Sequence, residues 1–336
     1  MSHDEAFAHG GPPLTARLRL QPEDFVVVEE LGYDADGDGE HVLLTVQKRG
    51  LTTDEAAQRL ARFAGVRGSA IGVAGMKDRH ALTTQAFSVQ LAGRNEPDWS
   101  ALESPALRVL DHARHRRKLK RGALRGNRFH LRLRDVVGDR TEAEAVLQKI
   151  ASRGVPNLFG EQRFGRRGDN VEQALAMFRG AHVERKLGAI LLSAARSHLF
   201  NAVLDQRVRE DRWDRAIDGE VFCLAGSRSW FGPEPLDAAL AARLDSGDIH
   251  PSGPLWGQGD LPTRGAAAEL ERALAAANAE LAAGLVASGL EQDRRPLRLL
   301  PRDFRWAWHD EATLDLEFGL PAGAYATTVV RELART

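Results

Sequence analysis

Cysteine is nearly absent: Cys223 is the only one in 336 residues. That excludes an internal disulfide and every zinc site built from paired thiolates, the zinc deaminases among them. A reducing, cytoplasmic setting is expected. The first thirteen residues carry His3, Asp4, Glu5 and His9 but no apolar core, so neither a signal peptide nor a membrane anchor is expected there. No later apolar run reaches the length of a membrane span, and a membrane is not an expected partner. A net charge of −1 leaves the molecule without a strong long-range field. The usual cofactor signatures are missing too. Residues 65–75 are glycine-rich but contain neither GxGxxG nor a phosphate loop, and no HExxH or GxSxG occurs. Asp34, Asp36, Asp38 and Gly39 resemble the opening of a calcium loop, yet its twelfth position falls on Thr45 where a bidentate Glu is required. His112 and His115 sit inside a cationic run, a poor place for a metal ion. No metal and no internal repeat are expected.

What is present describes a globular protein: 43% hydrophobic and 28% charged residues suffice for packed cores. The length favours two domains. Phe25 to Glu30 and His41 to Lys48 read as strands, joined by the turn-rich 34–40 segment into an expected hairpin. Thr52 to Glu55 is a capping box opening a helix whose Ala56, Leu60, Phe63 and Ala64 share a face and which Gly65 ends. Strands at 69–74 and 85–91 flank Gly75-Met-Lys-Asp-Arg-His80, so that segment is a turn between paired strands. From Arg128 to Val136, Phe129, Leu131 and Leu133 alternate with His130, Arg132 and Arg134, the period of a half-buried strand with a cationic outer face. Thr141 to Glu144 reads as a second capping box for a helix ending near Gly154. From Asn170 to Leu290 the pattern is helical and Ala-rich, interrupted at 226–235 and 251–265. Strand character returns at 312–318, before Pro321 and a short final helix. Strands, helices and a strand again predict an inserted helical domain whose host sheet is completed by the C-terminus.

Three stretches can carry chemistry. Asp78 lies in the short turn and is bracketed by Lys77 and Arg79, neighbours that suit an anionic side chain. It can serve as nucleophile or base without a cofactor, or it can be an ordinary turn aspartate bonded to main-chain N–H groups. Between His112 and Arg134 stand ten Arg and Lys residues and no acid, among them Arg114, Arg116, Arg117, Lys118, Lys120 and Arg121. Such a run is either a solvated face or a track for phosphates. Phe129 reads as a base-stacking platform beside that track or as a core residue in register with Leu131. Residues 155–170, mixing Gly, aromatics and Arg163, Arg166 and Arg167, read as a hinge that can also face nucleic acid.

Together these strings resemble the TruD family of tRNA pseudouridine synthases. The matching blocks are Pro22-Glu-Asp-Phe-Val-Val27 with Gly39-Glu-His41, Ala74-Gly-Met-Lys-Asp-Arg-His-Ala-Leu-Thr83, the 112–120 run leading to Gly126-Asn-Arg-Phe129, Val155-Pro-Asn-Leu-Phe-Gly-Glu-Gln-Arg-Phe-Gly165, and Leu320 to Thr328 with Val330-Arg-Glu-Leu333. The resemblance implies an α+β fold: a pseudouridine-synthase catalytic domain (1–153 and 304–336) with a mixed, largely antiparallel sheet, interrupted by a mainly helical α/β TRUD domain at 154–303. It implies isomerisation of a uridine, position 13 of tRNA in bacterial members, with no cofactor and with tRNA as partner; a monomer is expected. Asp78 becomes the catalytic carboxylate. Phe25, Lys77, Asn127, Phe129 and Tyr325 fall on substrate-binding positions, and Arg114, Arg116, Arg117, Lys118, Lys120 and Arg121 on the RNA backbone. Tyr325 stands where the family pattern usually has Phe, so its hydroxyl needs a partner. The competing readings are an RNA-binding protein or chaperone without catalysis, and a cofactor-free nuclease.

Overall fold

The computed structural model of the chain describes residues 6–336; His3, Asp4 and Glu5, which entered the expectation for the N-terminus, lie outside them. Two compact units are present, one made of 14–138 with 301–323 and the other of 6–13, 139–300 and 324–335.

The first unit is built on the strand Gly126–Gly138, whose alternation buries Phe129, Leu131, Leu133 and Val136. Phe25–Glu30 flanks it antiparallel on one side and Leu314–Pro321 on the other. Beyond Leu314–Pro321 lies Arg302–Trp308. Beyond Phe25–Glu30 lies Leu82–Gln90, running parallel to it, followed by His41–Arg49 and Leu107–His115. The sheet is therefore mixed, largely antiparallel and closed by C-terminal strands. The hairpin expected between Phe25–Glu30 and His41–Arg49 does not form, because Leu82–Gln90 lies between them. Their connection instead folds back on the end of Leu107–His115: Gly37 N–H donates to the Arg114 carbonyl, and Asp38 receives the Arg116 guanidinium through Nε at 2.7 Å. Alternation identifies each strand but carries no information on its neighbour.

Helix Thr53–Phe63 covers one end of this sheet. Thr52 and Glu55 cap it reciprocally, as the sequence pattern requires, and Gly65 leaves it with φ of 63°. Ala56, Leu60 and Ala61 then pack on Val42, Leu44, Val46 and Phe87.

In the second unit the helix Arg140–Arg153 is capped by Asp139, whose Oδ1 accepts from the N–H groups of Thr141 and Glu142, not by the expected Thr141 box. Aspartate two residues earlier supplies the same acceptor, so the helix starts earlier. Gly154 ends it at φ 80°, where a Cβ would lie 2.3 Å from the Leu299 carbonyl oxygen, and Val155–Pro156 pairs with Arg298–Leu299. Within 170–290 the helices Asn170–Phe178, Arg185–Arg209, Ala238–Asp245, Gly265–Ala277 and Ala279–Ala287 accompany a four-stranded sheet, ordered 230–231, 222–224, 249–255 and 293–296. Pro251 and Pro254 disguise the Ile249–Leu255 strand in the sequence. Arg185–Arg209 has the length and apolar composition of a spanning helix, which a search for uninterrupted apolar runs passes over. It is a core helix here, burying Leu191, Leu199, Phe200 and Leu204.

Cys223 sits in the Phe222–Leu224 strand, 3% exposed, and burial pushes its thiol up to about 12. The thiolate fraction at pH 8 is then negligible. An aromatic disulfide reagent is expected to release no chromophore from the native protein and one equivalent after denaturation. Rapid native reaction would place the thiol at the surface instead.

Candidate active site

Asp78 stands in the turn between Ile71–Val73 and Leu82–Gln90, with 42% of its side chain exposed. Its carboxylate is not tied to the turn's own main chain. Oδ2 accepts instead from Arg19 Nη2 at 3.1 Å. Arg19 holds a positive φ of 63°, a conformation that costs a non-glycine residue about 1 kcal/mol or more and that accumulates at functional sites. Its guanidinium lies 3.9 Å over the Phe25 ring. Phe25 meets Phe129 edge-on at 6.2 Å, and Phe129 stacks on Phe318 at 5.5 Å. Phe129, 7% exposed, is thus an interior member of an aromatic row that ends at the Arg19 and Asp78 pair.

The cations expected to attend Asp78 are engaged elsewhere. Lys77 Nζ pairs with Glu29, both side chains buried, and Glu29 Oε1 also accepts from the Ala86 N–H. Arg79 pairs with Glu55. Gly75 leaves room beside the buried pair: a Cβ there would lie 2.9 Å from Lys77 Nζ and 3.0 Å from Glu29 Oε2. Below the turn Lys48, 1% exposed, donates to the carbonyl oxygens of Leu51, Asp78 and Lys77 at 2.6, 3.2 and 3.5 Å. Burial lowers its ammonium to about 8 against the opposing charge of Asp78.

Asn127 is half-buried beside Phe129, and its Oδ1 is buried with no hydrogen-bond partner among the described residues. An unsatisfied buried acceptor of this kind costs about 1–3 kcal/mol unless a ligand supplies the donor. Tyr325 lies in the other unit, where its hydroxyl finds its partner: Arg163 Nη2 donates to it at 2.8 Å, while Nη1 donates to Ser193 Oγ. Tyr325, Arg163, Ser193, Gln162 and Ile190 line an open depression of about 460 Å³.

The basic run is only partly free. Arg114 and His112 meet Glu96, His115 meets Asp36, Arg116 is bidentate on Asp38, and Lys118 Nζ donates to the Ser69 carbonyl. Arg117, Lys120, Arg121 and Arg125 are exposed without an acidic partner among the described residues. On the cationic face of Gly126–Gly138, Arg132 is bidentate on Asp315 and Arg134 meets Asp24. Among the described residues no group of three or more His, Cys, Asp or Glu could hold a metal ion.

Arg19, Lys48 and Glu29 escape a reading by motif. Two of them leave a mark in the alternation. Val42, Leu44, Val46 and Lys48 share one face of a strand, and so do Phe25, Val27 and Glu29; a charge in line with core positions has to be paired or functional. Arg19 leaves none.

The fold is shared with a crystal structure that carries the TruD name, from Methanosarcina mazei: TM-score 0.77, 22% identity, 98% of this chain and 96% of that one. It is a mixed helix-and-sheet, α+β architecture. The family model for tRNA pseudouridine synthase D (TruD) matches residues 3–182 and 167–333. The tRNA pseudouridine synthase D of Xanthomonas campestris pv. campestris strain 8004 is 52% identical, over 97% of this chain and 93% of that protein. That of Nitrosococcus oceani is 50% identical, over 100% and 97%. The chain belongs to the TruD family.

Proposed function

We propose that this chain is a tRNA pseudouridine synthase that isomerises a uridine, U13, with Asp78 as the catalytic carboxylate and without a cofactor. The observation that carries this reading is the half-exposed Asp78, free of its own turn and held by Arg19 at the end of the Phe25 and Phe129 row. Membership of the family and the names of the relatives support the substrate class.

A uridine stacked in a folded RNA has to be everted first, at a cost of roughly a few kcal/mol. Contacts of Arg117, Lys120, Arg121 and Arg125 with phosphates would offset it. Asp78 then acts at the ribose, attacking C1′ or removing the C2′ proton. The N1–C1′ bond breaks and the uracil turns; C5 bonds to C1′, displacing the Asp78 carboxylate in the first route or with the proton returned to C2′ in the second. C5 then loses its proton while N1 gains one, so that the product is an isomer of the substrate. Asn127 Oδ1 is available to a uracil N–H. We also take residues 154–303 as the inserted domain, a reading supported by the pairing near its two ends of Val155–Pro156 with Arg298–Leu299, although the compact units group 139–153 and 324–335 with 154–300 and leave 301–303 with the sheet. The enzyme is taken as a cytoplasmic monomer.

The test is incubation of the purified chain with unmodified transcribed tRNA, followed by carbodiimide mapping. Pseudouridine at position 13 in RNA of unchanged length is expected. Bound but unmodified tRNA would favour the non-catalytic binder, and shortened RNA a nuclease.

A further inference from the structure

We infer that Lys48 is a positioning residue of the reaction: its buried ammonium holds the main chain of residues 77 and 78 and so fixes the direction in which the Asp78 carboxylate is presented. This rests on the reading of Asp78 given above.

The Lys48 side chain points from the apolar face of His41–Arg49, where Val42, Leu44 and Val46 are fully buried, and ends on three carbonyl oxygens with no carboxylate among its hydrogen-bond partners. One acceptor, Leu51, precedes helix Thr53–Phe63; the other two, Lys77 and Asp78, belong to the turn. The ammonium therefore joins the helix entrance to the peptide units on either side of the Asp78 Cα. Neutral groups hold the main chain of the rest of the turn, beside the side-chain pairs of Lys77 with Glu29 and Arg79 with Glu55: Lys77 N–H donates to Thr53 Oγ1, which donates to Gln85 Oε1, and Gln85 Nε2 donates to the Gly75 carbonyl. None of these reaches residue 78. Among the described residues Lys48 is the charged side chain that bonds to the main chain of residue 78, whereas Arg19 meets its carboxylate.

A buried lysine that merely satisfied carbonyls would be a fold-stabilising element, and its loss would act on stability. A positioning lysine acts on the chemical step, because a carboxylate displaced by about 1 Å loses on the order of a hundredfold in rate. The charged groups facing Lys48 are Asp78 and Lys77 in the turn and Glu55 on the helix. Burial outweighs the two carboxylates, so the ammonium is half deprotonated near pH 8. Activity and stability then move in opposite directions with pH. Below about 8 the ammonium is charged and holds the turn; above it the neutral amine holds less firmly, and the rate falls. Stability takes the other sign. Between about 8 and the unperturbed 10.5 the unfolded chain binds more protons than the folded one at this residue, so its share of stability rises with pH.

The test measures single-turnover pseudouridine formation and tRNA affinity separately. Lys48→Met keeps the apolar stem, one heavy atom short of lysine, and removes its charge; the rate is expected to fall ten- to a hundredfold with affinity within twofold of wild type. Lys48→Arg, charged at every accessible pH, should recover part of the rate and lose the alkaline fall. The wild-type rate itself should decline through pH 8 to 9, a measurement that stands even if Lys48→Met does not fold. A folded Lys48→Met with the wild-type rate, or a wild-type rate flat to pH 9.5, overturns the assignment. Asp78→Asn is run alongside. If that variant forms product, the reading of Asp78 has failed; if it is inactive while Lys48→Met is unimpaired, only the role of Lys48 has.

Discussion

Asp78→Asn should bind tRNA with nearly the affinity of the wild-type chain and form no pseudouridine, the rate falling by about 10⁴-fold or more. The substitution preserves shape, so the turn held by Lys48, Thr53 and Gln85 through its main chain has no reason to move. What disappears is the anionic oxygen that Arg19 holds at 3.1 Å. An amide is a far weaker nucleophile and base than a carboxylate, so either route at the ribose fails. Folding should barely register the change. With 42% of the Asp78 side chain and 25% of the Arg19 side chain exposed, the pair contributes at most about 1 kcal/mol. Affinity should hold too, since the exposed cations Arg117, Lys120, Arg121 and Arg125 lie outside the turn. Carbodiimide mapping beside a filter-binding titration gives both quantities. Product at a rate within tenfold of wild type would remove Asp78 from the chemistry, and loss of binding together with product would make it a recognition residue.

How much of this was legible beforehand differs from element to element, and the differences have physical causes. The strand Gly126–Gly138 and the helix Thr53–Phe63 could be read because each is decided locally, by alternation in one case and by a reciprocal cap in the other. Pairing is not local. Phe25–Glu30 and His41–Arg49 look like a hairpin because they adjoin in sequence, and only the strand between them, some forty residues downstream, shows otherwise. The strand Arg302–Trp308 carries the same signal: Phe304, Trp306 and Trp308 alternate as plainly as Phe129, Leu131 and Leu133. In the site, Asp78 was marked by its turn, but its ionic partner was not. Lys77 and Arg79 are adjacent in sequence, and side chains of successive residues in a turn diverge, leaving each free to find its own acid in Glu29 and Glu55. Arg19, far from the turn in sequence and in an unusual backbone conformation, carries no local mark of its contact with Asp78. The basic run misled in the same way. A stretch with no acid in sequence proved to be compensated in space by Asp36, Asp38 and Glu96, and its uncompensated part is smaller than its length implied.

The same distinction between adjacency and contact governs the largest expected effect on stability. Glu271→Ala should destabilise the second unit by about 3–5 kcal/mol, although nothing in the helix Gly265–Ala277 distinguishes Glu271 from Glu269 by composition. Glu271 is 3% exposed and Arg294, from the strand Asp293–Pro296, has no exposed side-chain surface. The guanidinium donates Nη1 and Nη2 to the two carboxylate oxygens, Nε to Ser252 Oγ and Nη2 again to the Ser252 carbonyl, while Thr263 Oγ1 donates to Glu271 Oε2. The pair thereby fastens a helix to a sheet. Truncating the acid leaves a buried cation with two of its bonds broken, and the desolvation that the carboxylate had offset is then uncompensated. An exposed pair of the same chemistry, Arg179 with Glu280, is the internal control. Glu280→Ala should leave the urea melt of the full chain unchanged within error, because water replaces what is lost. Similar midpoints for the two variants would mean that solvent reaches Arg294 once Glu271 is gone. A selective fall in the Glu271→Ala melt would show that enclosure sets the difference.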